Sequence, residues 1–190
     1  WGRQTRIRLS NALGIKPVTV DSIYVGLQMT AAALVPSSNR PLTFAGKASV
    51  TIAPGESAWS DAVSLPFVRE TEALAGRKLA VSFHVAGESG PMTWHAKALT
   101  TSYLTVPNEG ARGQEEGEAA FPVSTTSWYF LDAVDMMAPA GTQVVVAFGD
   151  SITDGTASTL NGDDRWPDVL SRRLHAAGKS VSVVGVSVVN

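Results

Sequence analysis

The 190-residue sequence predicts an all-β sandwich followed by an α/β segment, on three observations. Short alternating strands punctuated by Gly and Pro fill the first part. A continuous apolar strand follows Gly141. An amphipathic stretch then leads from that strand to a second apolar one. Hydrophobic residues make up 44% of the chain and charged residues 17%, enough to bury a real core. The net charge of -2 leaves no electrostatic footprint for nucleic acid or for an anionic membrane, so neither is expected as a partner. No apolar run approaches the roughly 20 residues that span a bilayer. With no cysteine, a disulfide framework, thiol catalysis and cysteine-ligated metal are excluded.

In Thr5-Arg6-Ile7-Arg8-Leu9-Ser10 the apolar residues fall on every second position, as a half-buried strand requires. Asn11-Ala12-Leu13-Gly14 supplies a turn, and Val18-Thr19-Val20 with Ile23-Tyr24-Val25 reads as further strand. Ala48 to Ile52 is a strand closed by the Pro54-Gly55 turn signal. Leu79, Val81, Phe83 and Val85 alternate with Lys78, Ala80, Ser82 and His84 up to Gly87. Strands at this spacing predict a sandwich of jelly-roll kind over residues 1–138. Asn108 to Glu118 is polar, Gly-rich and acidic, which reads as a mobile loop or linker in preference to a Ca²⁺ site. Ser124 to Asp135 resumes strand character, and Ala138-Pro139-Ala140-Gly141 marks a boundary.

Residues 139–190 follow a different pattern. Val144 to Phe148 is apolar at every position, as in a parallel strand covered on both faces. From Arg165 to Ala177 a helix is predicted, with Trp166, Val169, Leu170, Leu174 and Ala177 on one face. Asp163 or Asp164 suits its N-cap, Pro167 its first turn and Gly178 its C′ position. Val181 to Val189 is the next strand, giving a βαβ unit. One such unit cannot cover both faces of its sheet, so more polypeptide is expected to pack on it.

Between the first strand and the helix lies Gly149-Asp150-Ser151-Ile152-Thr153-Asp154-Gly155. Ligands of open α/β sheets bind beyond the carboxyl ends of the strands, where Ser151 falls. A serine there can expose its hydroxyl, while the turn aims N–H groups at a developing oxyanion. Gly149 and Gly155 bracket the turn and allow close approach of a substrate. Asp150 and Asp154 read as acceptors of backbone hydrogen bonds that fix the loop, in preference to an acid–base pair.

This stretch resembles the first sequence block of the GDSL (SGNH) hydrolases, Gly-Asp-Ser-(Ile/Leu)-Thr-Asp-Gly, and the similarity runs on through Arg165-Trp166-Pro167-Asp168-Val169-Leu170 and Arg173-Leu174. Arg6 to Asn11, Thr100 to Tyr103 and Thr125 to Leu131 are similar to secreted bacterial members that carry an N-terminal β-sandwich. The resemblance implies that residues 139–190 open a three-layer SGNH domain. It also implies a serine esterase, with Ser151 as nucleophile and the Ser151 backbone N–H as one oxyanion donor. Gly149, Asp150, Asp154 and Gly155 would support the turn. The substrate would be an acylated glycan or a short-chain ester, the location secreted or periplasmic, and no metal or organic cofactor would be needed.

The family's later Gly, its Asn and its Asp-x-x-His pair have no match in this chain. His175 reads as a cation near a helix C-terminus, His84 as a residue on the polar face of a strand, and His95 as a surface or packing residue without an Asp three positions before it. The serine's acid–base partner is therefore expected from other polypeptide. Gly-x-Ser-x-Gly and zinc-ligand spacings are both missing. Trp59, Trp94 and Trp128 are expected in the core, with sugar stacking as the alternative. The chain opens at Trp1 without an initiator Met or a leader and ends directly after an apolar run, which reads as a cut chain. Its expected partner is the remainder of the same polypeptide, docked as a separate chain after cleavage at Asn190. The rival readings are a carbohydrate-binding module with a vestigial catalytic part and a purely structural interaction protein.

Overall fold

The computed structural model describes residues 1–69 and 74–187, with side chains through Gly185. In chain order the strands of the first part are β1 (Gln4–Ser10), β2 (Val18–Thr30), β3 (Ala33–Leu34), β4 (Arg40–Pro41), β5 (Ser49–Ile52), β6 (Ser57–Trp59) and β7 (Val63–Ser64). They continue with β8 (Leu79–Val85), β9 (Trp94–His95), β10 (Ser102–Leu104), β11 (Val123–Thr125), β12 (Trp128–Tyr129) and β13 (Leu131–Met136). The alternation in β1 has the predicted consequence: Ile7 and Leu9 are fully buried while Arg6 faces out.

Two antiparallel sheets share one core. In the first, β1 pairs with β13 on one side and with β6 and β7 on the other. In the second, the long β2 has β5 and β4 along one side and β8 along the other, with Tyr24 paired to both Pro41 and Ser82. The two segments read separately as Val18–Val20 and Ile23–Val25 are this single strand, whose register shifts between Asp21 and Tyr24, where Ser22 adopts φ 48°. Ile7 and Leu9 from one sheet and Val18, Val20, Ile23 and Val25 from the other meet in one apolar cluster. Burial of each such side chain contributes about 1.5–3 kcal/mol. The turn after β1 is anchored from inside. Asn11 is buried, and its Nδ2 donates to Lys16 O at 2.9 Å and Ile52 O at 3.0 Å.

The acidic stretch 108–118 is not a linker between the two parts. Glu116 accepts from the Ser37 and Asn39 amides at 2.8 and 3.1 Å, and Leu34 N–H donates to Glu116 O. Asn39 Nδ2 donates to Gly113 O at 3.0 Å. The loop is thereby docked on the segment after β2. Composition signals a polar loop but carries no information about which backbone amides its carboxylates will satisfy.

The last part consists of β14 (Gln143–Gly149), the single helical turn α1 (Ser151–Asp154), α2 (Trp166–Ala176) and β15 (Val181–Ser187). β14 and β15 run parallel, from Gln143 opposite Val181 to Gly149 opposite Ser187. Val188 and Val189, read as the end of that strand, lie outside the described residues. Pro167 sits in the first turn of α2, and Gly178 takes φ 70° just after it, as expected. The predicted aspartate cap is absent. Arg165 is the N-cap residue and makes no capping bond with its side chain, while Asp164 turns back to accept from the Thr159 amide at 3.0 Å and Asp163 reaches Lys78 at 2.9 Å.

The apolar run of β14 is partly covered on one face, where Val145 remains 37% exposed, and bare on the other. Ala147 is buried on the side where Val181 is also buried, and Pro167 of α2 lies 3.8 Å from where a Cβ on Gly185 would sit. On the other face Val144, Val146 and Phe148 are 63%, 59% and 71% exposed. Among the described residues nothing packs there, and β14 and β15 pair only with each other.

Candidate active site

β14 ends at Gly149, and the chain turns at Asp150 into α1, with Ser151 as the first helical residue. The turn is built by its own residues. Asp150 is in extended conformation, and its Oδ1 accepts from Ile152 N–H at 2.9 Å, an N-cap bond. Asp154 N–H donates to Asp150 O, while the Gly155 and Thr156 amides donate to Ser151 O. The structural role read for Asp150 is therefore the observed one. Gly149 is extended and needs to be glycine for space: a Cβ would overlap Thr153 Oγ1 and stand 3.0 Å from Thr153 Cβ. Thr153 is buried and accepts from Trp166 Nε1 at 3.2 Å. Gly155 closes α1 at φ 109°, and a Cβ there would lie 2.7 Å from Arg165 Cγ.

Ser151 is half-buried, and its hydroxyl makes no hydrogen bond among the described residues. As the first residue of a helical turn, its N–H lacks an intrahelical acceptor. Beside it Ile152 is 72% exposed. A cleft of about 530 Å³ opens elsewhere, lined by Arg3, Gln4, Ser64, Leu65, Pro66, Val68, Arg69 and Met137, and none of the motif residues borders it.

The structure brings one unexpected residue to the motif. His95 Nε2 lies 3.0 Å from Asp154 Oδ2. A carboxylate only accepts, so Nε2 carries the proton. The pair is separated by 59 residues, and no local pattern in the sequence could have revealed it. The Asp154 carboxylate thus bonds a side chain from another part of the chain. Arg165 belongs to the same cluster: its Nε donates to Asp154 O at 2.7 Å and its Nη2 to Ala98 O. Asn161 adds three bonds, its amide to Leu99 O, its Nδ2 to Thr101 Oγ1 and its Oδ1 from Thr101 N–H. The remaining histidines are elsewhere. His84 Nδ1 is 2.8 Å from Asp21 Oδ1, and His175 Nε2 donates to Val181 O.

The tryptophans divide. Trp59 is half-buried beneath the Arg6 and Arg8 guanidiniums, 4.3 and 5.3 Å from its ring centre. Trp94 and Trp128, expected in the core, are 53% and 42% exposed. Both sit on the two-stranded ribbon β9–β12, which belongs to neither main sheet, and Trp94 stacks on Tyr129 with centroids 6.2 Å apart. Compared with protein-family models and with curated proteins, the chain matches none.

Proposed function

We propose that this chain carries the nucleophile of a serine ester hydrolase of GDSL (SGNH) type, with residues 139–190 opening its catalytic domain. The observation that carries the reading is the position of Ser151, the first residue of a capped turn at the carboxyl end of a parallel strand. In the proposed reaction the Ser151 hydroxyl attacks the ester carbonyl and passes its proton to a histidine. The Ser151 N–H, with a Gly and an Asn donor, holds the oxyanion. The alcohol leaves with the proton from that histidine, and water then releases the acid from the acyl-enzyme. The substrate in this reading is an acylated glycan or a short-chain ester, and the protein is a secreted or periplasmic bacterial one.

The histidine and the two donors are proposed to come from the remainder of the polypeptide, docked as a separate chain. Support comes from the bare apolar face of Val144, Val146 and Phe148 and from the exposed Ile152 next to the nucleophile. Contiguous apolar surface of this kind is stabilised by being covered. Treatment of the active protein with a fluorophosphonate, followed by peptide mapping and intact mass, tests both parts. The expected result is an adduct on Ser151, none in Ser151→Ala, and a second chain in the mass spectrum. An unlabelled Ser151 overturns the esterase reading, and an active sample containing only this chain overturns the partner.

A carbohydrate-binding role for the sandwich is a second reading, favoured by the solvent-facing Trp94 and Trp128 indoles. Under it, glycan binding persists in Ser151→Ala and disappears in Trp94→Ala or Trp128→Ala.

A further inference from the structure

We infer that His95 is a positioning residue for Ser151, so that the β-sandwich is part of the active site and not an appended module. The inference rests on the esterase reading above. Ser151 and Asp154 are the first and last residues of one helical turn, and positions three apart lie on the same face. The bonds from Asp154 N–H to Asp150 O and from Gly155 N–H to Ser151 O make that turn a closed unit. Whatever holds the Asp154 carboxylate therefore fixes where the Ser151 hydroxyl sits.

His95 is well placed to hold it. Its backbone is paired across the ribbon with Trp128, Ser127 Oγ donates to Ala96 O at 2.7 Å, and Ala98 N–H donates to Thr126 O. The imidazole thus projects from an immobilised strand. Asp154 is only 18% exposed at its side chain, so water competes weakly for the 3.0 Å bond. The same strand segment grips the following loop through Ala98 O to Arg165 and through Leu99 and Thr101 to Asn161. Lys78, next to β8, adds an ion pair with Asp163 at 2.9 Å. The contacts made by His95, Ala98, Leu99, Thr101 and Lys78 with Asp154, Arg165, Asn161 and Asp163 join the first part of the chain to the segment that follows Ser151. Among the described residues no hydrogen bond joins His95 to Ser151, so its action is exerted through Asp154.

Displacement of a reacting group by about 1 Å costs on the order of 10²-fold in rate. The test compares His95→Phe with His95→Gln in the complete active protein. The Gln amide nitrogen can take the place of Nε2 as donor; Phe cannot. Steady-state kinetics on a small aryl ester are measured beside hydrogen exchange of the Ile152, Asp154 and Gly155 amides. His95→Phe should lower kcat about 10–10²-fold with KM unchanged and should speed exchange at those amides. His95→Gln should return kcat to within about threefold of the parent and restore protection, the size of change that follows when a hydrogen bond is largely kept. A Gln variant as slow as the Phe variant would assign proton chemistry to His95 and overturn the inference. So would a Phe variant with unaltered exchange. If Ser151 in the parent takes no fluorophosphonate, the esterase reading fails separately, while the exchange comparison still decides whether His95 holds the turn.

Discussion

Replacement of Gly149 by Ala tests the geometry of the nucleophile turn directly. Gly149 is the last residue of β14 and its φ is outside the left-handed region, so alanine meets no backbone penalty there. The cost is purely steric. A methyl at this position would overlap Thr153 Oγ1, and Thr153 is buried with Trp166 Nε1 donating to the same oxygen. Relief requires α1 to move away from the strand, and overpacking of this kind costs about 1–3 kcal/mol. Thr153→Ala alone loses the Trp166 bond and a buried methyl, about 0.5–1.5 and about 1 kcal/mol respectively. In the double variant the nearest atom to the new methyl becomes the Cβ at 3.0 Å, a tight but far smaller conflict. The two changes should therefore compensate, leaving the double variant about 1 kcal/mol more stable than the sum of the single effects. Urea unfolding of all four proteins gives these free energies, and the rate of fluorophosphonate labelling of Ser151 reports the same displacement at the hydroxyl. A Gly149→Ala protein within about 0.5 kcal/mol of the parent, or strict additivity in the cycle, would refute the packing argument.

Two further outcomes follow from the sandwich. Asn11→Leu removes both Nδ2 bonds, to the Lys16 carbonyl at the surface and to the buried Ile52 carbonyl, and should destabilise by about 1–3 kcal/mol in urea unfolding, the cost of one stranded buried acceptor. Asp61 is held below the usual carboxylate range, first by the Thr43 hydroxyl and then by the Gly46 amide. Its folded pKa lies below the unfolded one, so its stabilisation is present above the unfolded value and is lost as pH falls through the folded one. Thr43→Val should raise the Asp61 pKa toward the ordinary carboxylate value, as read by NMR titration, and should flatten the acid dependence of stability.

The residues of the candidate site divide by how far apart their partners lie. Asp150 could be read as a cap, because its acceptor role spans two residues and follows from a tight turn after a strand. The helix stop at Gly178 was readable for the same reason. His95 was not, because its only signal is a partner 59 positions away. Nor were Asp163 and Asp164: both suit an N-cap by position, yet Lys78 and the Thr159 amide compete for them in three dimensions. The exposed Trp94 and Trp128 were misread for a related reason. Large aromatics belong in cores unless their strands lie outside both sheets, and only the pairing pattern decides that.

By itself the sequence determined what repeats at short range: the alternation that buries Ile7 and Leu9, the turn chemistry around Ser151 and the periods that distinguish the β-rich part from the βαβ segment. Tertiary structure alone decided which parts meet: the docking of Glu116 on the backbone after β2, the bare face of Val144, Val146 and Phe148, and the bond from His95 to Asp154. The physical reason is that periodicity and caps are set by local backbone geometry, whereas a long-range contact depends on loop closure and on competition among many partners of the same chemical type.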